Sequence, residues 1–195
     1  MIIFLRHGQA ENNTKKILAG RTPGINLTED GKKQAEQAGE MIKSLNVSAI
    51  YSSPIDRAMQ TAEIVGKHCG VKPISDDRLI ELDMGKFTMV PYDEIFKKHG
   101  NVFLKFYEGS LEISHNGVES FSEVQKRVFD IVDFVKNKHK GENVVLVTHM
   151  DPIKAMIGKV LSLKPEILFQ LIVANASLTV SYTHLTLPTM CVVYI

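Results

Sequence analysis

Short apolar runs alternate along the chain with segments whose apolar residues recur every three or four positions. The first kind of segment is typical of strands buried on both faces, and the second of helices with one buried face. The pattern predicts strands at 1–5, 49–52, 72–75, 144–148 and 176–180. Because strand and helix signals alternate, we expect an α/β fold, a three-layer α/β/α sandwich around a mostly parallel sheet.

Capping residues mark the helices between the first strands. Thr28 is placed to cap a helix over 28–44, which has one apolar face. Ser53 and Pro54 have the residue types of an N-cap and a first helical position, and they predict a helix over 53–68.

The segment 76–117 is the least periodic part of the chain, with one short helix predicted at 92–99. An irregular insertion of this length is a natural lid or specificity segment over a site, and the alternative is a helical hairpin without a ligand role. A long helix then begins at Ser120 or Ser122, and Pro152 starts a further helix after the strand at 144–148.

Length and composition favour one domain. With 195 residues, 44% of them hydrophobic, the chain is long enough to bury a single core, which we assign to 1–180. The remaining stretch, 181–195, is an atypical tail of doubtful origin, because it lacks Asp, Glu, Lys and Arg. Its Pro188 and hydroxyl residues do not fit a membrane span, which needs about 20 mainly apolar residues.

The formal net charge of +1 gives no general attraction for nucleic acid or an anionic membrane, so neither is expected as a partner. Cys69 and Cys191 cannot form a disulfide framework, which indicates a reducing compartment. The apolar run at the N-terminus is too short for a signal peptide. We therefore expect a cytoplasmic protein.

The run from Phe4 to Gly8 delivers Arg6 and His7 side by side at the end of a buried strand. Functional side chains gather at the carboxyl ends of such strands. Arginine offers a planar fork of donors to phosphate oxygens, and a neutral imidazole can attack phosphorus. The triplet Arg6-His7-Gly8 alone is also what an ordinary strand end before a glycine turn looks like, so the other motifs decide.

A second histidine stands in the same context. His149 follows the strand at 144–148 and precedes a helix, so the two histidines can share one cleft. Arg57 lies in or just past the first turn of its predicted helix, where the helix dipole favours an anion. Taken alone, each residue has an ordinary structural explanation: a hydrogen-bonded turn histidine and a solvated arginine.

In this order and context, the motifs resemble those of the histidine phosphatase superfamily, also called the phosphoglycerate mutase-like family. The resemblance runs from residue 1 to about 180, and any one motif is weak whereas four in register are specific. The matching residues are Arg6, His7, Gly8 and Asn13; Ser52-Ser53-Pro54 with Arg57 and Thr61-Ala62; Leu79-Ile80-Glu81 with Gly85; and Val145-Leu146-Val147-Thr148-His149.

The resemblance implies a phosphoglycerate mutase-like fold and a set of roles. His7 would attack phosphorus and form a phosphohistidine. The peripheral oxygens of the phosphoryl group would be held by Arg6, Asn13, Arg57 and His149. Arg21 would add a basic contact to the phosphorylated substrate.

Glu81 would be the general acid, since family members carry a glutamate at this point of the Leu-x-Glu pattern. Asp83, two residues further on, is the alternative proton donor. Asp151 replaces a glycine of the family pattern, where it can contact the substrate or His149.

The leading hypothesis is a phosphatase that hydrolyses a small phosphomonoester. Arginines and histidines would supply the positive charge, so no metal and no cofactor is expected. A phosphoglycerate mutase that uses the same histidine is the alternative enzyme, and a non-catalytic phosphate-binding module is the alternative of another class. Either a monomer or a homodimer is compatible with the sequence.

Overall fold

The computed structural model describes residues 1–110, 116–181 and 191–194. Its sheet has six strands in the order β3-β2-β4-β1-β5-β6. The first four strands in that order are parallel, β5 runs antiparallel to β1, and β6 runs antiparallel to β5. The bounds are β1 Ile2–Arg6, β2 Val47–Ser52, β3 Ile74–Ser75, β4 Asn143–Thr148, β5 Leu178–Ser181 and β6 Cys191–Tyr194.

Helices connect the strands along the described chain. They are α1 Glu11–Thr14, α2 Glu29–Lys43, α3 Asp56–Cys69, α4 Tyr92–His99, α5 Val102–Tyr107, α6 Phe121–Lys138, α7 Met150–Val160 and α8 Pro165–Gln170. Short 3₁₀ turns lie at Asp77–Leu79 and Gly85–Phe87. Among the helices in the described ranges, none has both the length and the apolarity needed to cross a bilayer.

The sheet is covered on both faces, because consecutive side chains of a strand point to opposite sides. Ile2 and Phe4 of β1 pack into one core with α5, α6 and α7, whereas Ile3 and Leu5 pack into a second core with α2 and α3. The two cores on either side of the sheet confirm the expected three-layer α/β/α sandwich.

The register of the central strands brings the two strand-end histidines together. Arg6, the last residue of β1, lies opposite Thr148, the last residue of β4. His7 and His149 follow these residues directly, and the backbone N–H of His7 donates to the carbonyl of Thr148 over 3.0 Å. Both histidines therefore lie at the same edge of the sheet.

Two predicted helix starts are wrong. Helix α3 begins at Asp56 after Ile55, not at Ser53 and Pro54. The backbone N–H of Ser53 donates to the carbonyl of Val147, and its hydroxyl contacts His149, so Ser53 extends beyond the end of β2 alongside β4 and precedes the N-cap, Ile55. Arg57 nevertheless lies in the first turn of α3, as expected.

Helix α7 likewise begins at Met150, two residues before Pro152. Proline is tolerated there because backbone N–H groups of the first helical turn have no partner within the helix. The long helix α6 begins after Ser120, and Ser120 and Glu123 form a reciprocal capping box, which resolves the choice between Ser120 and Ser122.

The insertion at 76–117 is more regular than the sequence indicated. The predicted helix at 92–99 is α4, and α5 follows it, which agrees with the helical alternative for this segment, whereas α1 and α8 were not predicted. The strand predicted at 72–75 is shortened to Ile74–Ser75. Most of the atypical tail lies outside the described residues, although Cys191–Tyr194 forms strand β6 at the sheet edge.

Candidate active site

The turn after β1 is packed closely against the start of α2. A Cβ on Gly8 would lie 2.4 Å from the carbonyl oxygen of Gly31, and a Cβ on Gly31 would lie 1.9 Å from that of Gln9. Only glycine fits at both positions. The backbone N–H of Gly8 also donates to the hydroxyl of Thr61 on α3 over 3.1 Å. These contacts fix the turn that carries His7.

His7 is buried, with 2% of its surface exposed. Its Nδ1 lies 2.7 Å from the carbonyl oxygen of Gly8, which can only accept, so Nδ1 carries the proton and Nε2 carries the lone pair. The Arg57 Nε–H donates to Nε2 over 3.3 Å. Burial, followed by the charges of Arg6 and Arg57, holds the pKa of His7 well below its ordinary value. The imidazole is therefore neutral at pH 7.

Buried donors without a partner surround this imidazole. Arg6 Nε and Arg57 Nη1 have no hydrogen-bond partner among the described residues. Each guanidinium group is anchored by another nitrogen, since Arg57 Nη2 donates to the carbonyl of Gly20 over 2.8 Å and Arg6 Nη1 donates to that of Val173. Because unsatisfied buried N–H groups are costly, two fixed guanidinium groups with free donors form a site prepared for an anion.

His149 lies behind His7, with the two ring centroids 5.1 Å apart in an edge-to-face arrangement. It is fully buried, and its Nε2 is 2.8 Å from the hydroxyl of Ser53. Its Nδ1 has no partner in the described part of the chain. Burial and the nearby cations Arg57 and Arg6 hold the pKa of His149 well below its ordinary value, so this ring is also neutral.

Asn13 lines the pocket with His7, Arg6 and Arg57. Its Oδ1 accepts from the backbone N–H of Ala10 over 2.9 Å and from Asn175 Nδ2 over 3.3 Å. With its oxygen occupied, Asn13 presents its amide N–H₂ as the remaining donor group. Asn175 also donates to the backbone carbonyl of His7 over 3.2 Å, a supporting role that the sequence analysis missed.

Glu81 faces the cations from the other side of the pocket. Burial, together with the neighbouring Asp151 carboxyl, raises the pKa of Glu81 to about 7. Asp151 also lines the pocket, and it accepts a 2.6 Å hydrogen bond from the Tyr107 hydroxyl. Burial raises the pKa of Asp151 as well. A carboxyl group with a pKa near 7 can exchange a proton at neutral pH.

Asp83, the alternative proton donor, points elsewhere. Its Oδ1 accepts from the backbone N–H of Gly85, and its Oδ2 lies 3.5 Å from Arg21 Nη1. Its side chain is 46% exposed and does not line the pocket in the described structure. The geometry thus favours Glu81 over Asp83.

Arg21 is the predicted contact that the structure does not bring into the pocket. Its guanidinium donates to Glu119 over 2.9 Å and to the carbonyl of Glu81 over 2.9 Å. Those acceptors and Asp83 occupy its nitrogens, so the described structure does not place Arg21 in the pocket, and its contact to the phosphorylated substrate stays a prediction. Glu119 is distant in sequence, and no local pattern indicated this pairing.

The rest of the pocket wall is apolar and aromatic. It includes Met84, Tyr92 and Phe103 from the insertion at 76–117, with Leu18 and Met150 from the two strand-end loops. Sequence reasoning assigned the insertion to substrate contact without identifying these side chains. Their periodicity is weak, which is why no single residue of the segment stood out.

Comparison with known proteins agrees with this geometry. A family model described as the histidine phosphatase superfamily (branch 1) matches residues 2–187. The chain belongs to the histidine phosphatase superfamily. That match confirms the resemblance inferred from the motifs, and it extends seven residues into the stretch we set aside as an atypical tail.

Relatives of two activities lie within this superfamily. The chain is 36% identical to a 2,3-bisphosphoglycerate-dependent phosphoglycerate mutase of Thermoplasma acidophilum over 91% of this chain and 84% of that protein. It is 31% identical to phosphoserine phosphatase 1 of Hydrogenobacter thermophilus over 80% and 73% of the two chains. A mycobacterial glucosyl-3-phosphoglycerate phosphatase in complex with VO₃ superimposes with a TM-score of 0.85 at 26% identity, covering 100% and 97%. The α/β fold and the expected enzyme class, a phosphomonoester hydrolase, are confirmed.

Proposed function

We propose that this protein hydrolyses a small phosphomonoester through a phosphohistidine on His7, without a metal ion. The observation that carries the proposal is the state of the His7 ring. It is neutral, its Nδ1–H is held by Gly8, and its Nε2 carries the lone pair, which accepts a long 3.3 Å hydrogen bond from Arg57 Nε. The ring lines a pocket beside buried, unpaired donors of Arg6 and Arg57. These are the nucleophile and the charge stabilisation that phosphoryl transfer requires.

In the first step, His7 Nε2 attacks phosphorus in line and the bond from phosphorus to the leaving oxygen breaks. Arg6, Arg57 and Asn13 donate to the peripheral oxygens, while the ring of His149 packs edge to face against that of His7. Such donors are each worth roughly 3 kcal/mol of barrier. Glu81, whose pKa is raised to about 7, gives its proton to the leaving oxygen.

In the second step, the Glu81 carboxylate takes a proton from a water molecule as the water oxygen attacks the phosphoryl group. The bond from phosphorus to Nε2 breaks, inorganic phosphate leaves, and Glu81 is protonated again. Each step therefore restores the protonation state that the other step needs, and the cationic side chains do the work that a metal does in other phosphatases.

A phosphoglycerate mutase is the second candidate, favoured by the 36% identity to the Thermoplasma acidophilum enzyme. The two activities share the first step and differ in what discharges the phosphohistidine: water in a phosphatase, an acceptor hydroxyl in a mutase. Hydrolysis is favoured by the similarity to phosphoserine phosphatase 1 and to the mycobacterial glucosyl-3-phosphoglycerate phosphatase.

The test is turnover of p-nitrophenyl phosphate with excess chelator, together with rapid alkaline quenching that preserves phosphohistidine. The wild-type protein is expected to hydrolyse p-nitrophenyl phosphate and to carry the phosphoryl group on His7. His7→Ala should show neither hydrolysis nor a phosphoenzyme. His68→Ala is the matched control, because His68 lies at the far end of α3 and contacts Glu36 and Glu40. It should retain full activity.

Four results would contradict the proposal. Activity that survives His7→Ala excludes the histidine mechanism, and phosphate binding without turnover indicates the non-catalytic module. Loss of turnover under chelation contradicts metal independence. A phosphoenzyme discharged only by 3-phosphoglycerate, with a long lifetime in water, would show the mutase instead.

We further propose a compartment and a partner. We place the protein in the cytoplasm because its two cysteines cannot form a disulfide framework, and Cys69 is a free thiol. A small phosphorylated molecule is its proposed partner, and we leave monomer and homodimer as equal candidates.

A further inference from the structure

The backbone that carries Glu81 is held by a cluster of three charged side chains, Arg21, Glu119 and Arg127, called here the Glu119 cluster. Arg127 binds Glu119 in a bidentate contact through one edge of its guanidinium group, with Nε to Oε1 at 2.8 Å and Nη2 to Oε2 at 3.0 Å. Arg21 Nη2 donates to the same Oε2 over 2.9 Å. Two cations thus share one carboxylate, whose side chain is only 13% exposed.

The guanidinium nitrogens of Arg127 and Arg21 that do not bind Glu119 contact the chain around Glu81. Arg127 Nη1 donates to the carbonyls of Ile80 over 2.6 Å and Arg78 over 3.0 Å. Arg21 Nε donates to the carbonyl of Glu81 itself. The segment 78–81 is therefore held by main-chain contacts, which remain whatever the Glu81 side chain does.

Glu119 also fixes the residue on the far side of Glu81. Its Oε2 accepts from the backbone N–H of Asp83 over 3.3 Å, and its own backbone N–H donates to the Asp83 carbonyl over 3.0 Å. Arg21 Nη1 lies 3.5 Å from the Asp83 carboxylate. Glu81 is thus held on both sides by partners from three different parts of the chain.

Arg21 further connects this segment with the anion site. It directly follows Gly20, whose carbonyl accepts from Arg57 Nη2 over 2.8 Å. Gly20 therefore contacts Arg57, the cation beside His7, and the next residue, Arg21, contacts the backbone of Glu81. In the described structure, none of the three cluster side chains lines the pocket that holds His7 and Glu81.

We propose that the Glu119 cluster is a positioning device for the general acid, which sets the distance between the Glu81 carboxyl and the leaving oxygen. This inference rests on the proposed function. A displacement of about 1 Å at a reacting group costs on the order of 10²-fold in rate, so a small shift of the Glu81 backbone is enough to slow the acid step.

The test compares two substrates that differ in their need for an acid, and each variant is compared with wild type on the same substrate. The leaving group of glycerol phosphate is an alkoxide, which needs a proton from Glu81. The leaving group of 2,4-dinitrophenyl phosphate is a stable phenolate, which does not. The ratio of kcat/KM for the two substrates isolates the acid step, since kcat/KM reports the reaction up to release of the leaving group.

Arg21→Lys is the deciding variant, because its side chain is 34% exposed and the lysine keeps the charge while losing the planar fork. We expect kcat/KM for glycerol phosphate to fall by about 10- to 100-fold, with less than about a 3-fold change for 2,4-dinitrophenyl phosphate. Arg21→Gln should have a larger effect of the same kind, and Glu119→Gln should reproduce it.

Lys126→Gln is the matched control. Lys126 precedes Arg127 on α6, but its ammonium group pairs with Asp130 over 3.0 Å and its side chain is 80% exposed. This variant should leave both substrates unchanged. Vanadate affinity and the thermal midpoint of each variant show whether the anion site and the fold are intact.

Equal losses on both substrates, or no loss on either, in folded Arg21→Lys would overturn the inference. A merely structural role predicts equal losses together with weaker vanadate binding. Failure of the proposed function looks different, because wild type itself would then show no turnover that depends on His7. Should Glu119→Gln fail to fold, the partly exposed Arg21 position decides alone.

Discussion

At the scale of single residues, the site depends on opposite pKa shifts of two neighbouring groups. Burial lowers the pKa of His7, while burial and Asp151 raise the pKa of Glu81 to about 7. A neutral nucleophile and a protonated acid thus coexist below pH 7. The same burial acts in opposite directions because it disfavours the charged form, which is the protonated form of histidine and the deprotonated form of glutamate.

This pairing predicts the pH dependence of the reaction. For glycerol phosphate, kcat/KM should be level through mildly acidic pH and should fall above pH of about 7, where Glu81 loses the proton it must donate. Protonation of His7 should limit the rate only well below its ordinary pKa. A pH profile of kcat/KM measures both limbs.

Asp151→Asn is the variant that isolates the cause. Removing a neighbouring negative charge favours the charged form of Glu81, so the alkaline limb should move to lower pH. Glu81→Gln should abolish the limb and slow glycerol phosphate by about 10²-fold or more. An unchanged limb in Asp151→Asn would show that burial alone sets the pKa of Glu81.

At the scale of elements, the packing of α2 on the turn after β1 is what gives His7 a fixed position. Gly31→Ala would place a Cβ 1.9 Å from the carbonyl oxygen of Gln9, a backbone atom that cannot rotate away. We expect a loss of about 1–3 kcal/mol in the free energy of unfolding, and a lower rate as well, because Gln9 is two residues from His7.

Urea denaturation measures the first effect and turnover the second. Lys33→Ala, on the same helix with a side chain that is 75% exposed, should change stability by less than about 0.5 kcal/mol. Wild-type stability of Gly31→Ala would mean that α2 can shift away from the turn without cost.

The elements also show which parts of the fold could be predicted from the sequence. Buried strands ending at His7 and His149 were visible as apolar runs, and the parallel pairing of β1 with β4 follows from that alternation. The partners of Arg21 were not visible, because Glu119 lies 98 residues away and pairing at that separation leaves no local pattern. Ser53 was misread for the same reason, since its contact with His149 spans 96 residues.

At the scale of the whole molecule, the active site exists because two cores share one sheet. Strands β1 and β4 place alternate side chains in both cores, and their carboxyl ends carry His7 and His149. The insertion at 76–117 contributes Glu81 and much of the apolar wall. The acid therefore reaches the nucleophile only when segments from across the chain fold together.

That architecture predicts that the two cores unfold together. Tyr51 and Tyr107 are buried in the first core and Tyr92 packs against it, so tyrosine fluorescence mainly reports that core in a chain without tryptophan.

Val145 is fully buried in the second core, on the opposite face of β4. Val145→Ala should lower stability by about 1–3 kcal/mol, and it should shift the fluorescence transition as far as the far-ultraviolet circular dichroism transition. Val144→Ala, whose side chain lies in the first core, is the matched control and should shift both signals in the same way. If the midpoint of the fluorescence transition in Val145→Ala equals that of wild type, the two cores unfold separately. The assignment of residues 1–180 to one domain would then fail.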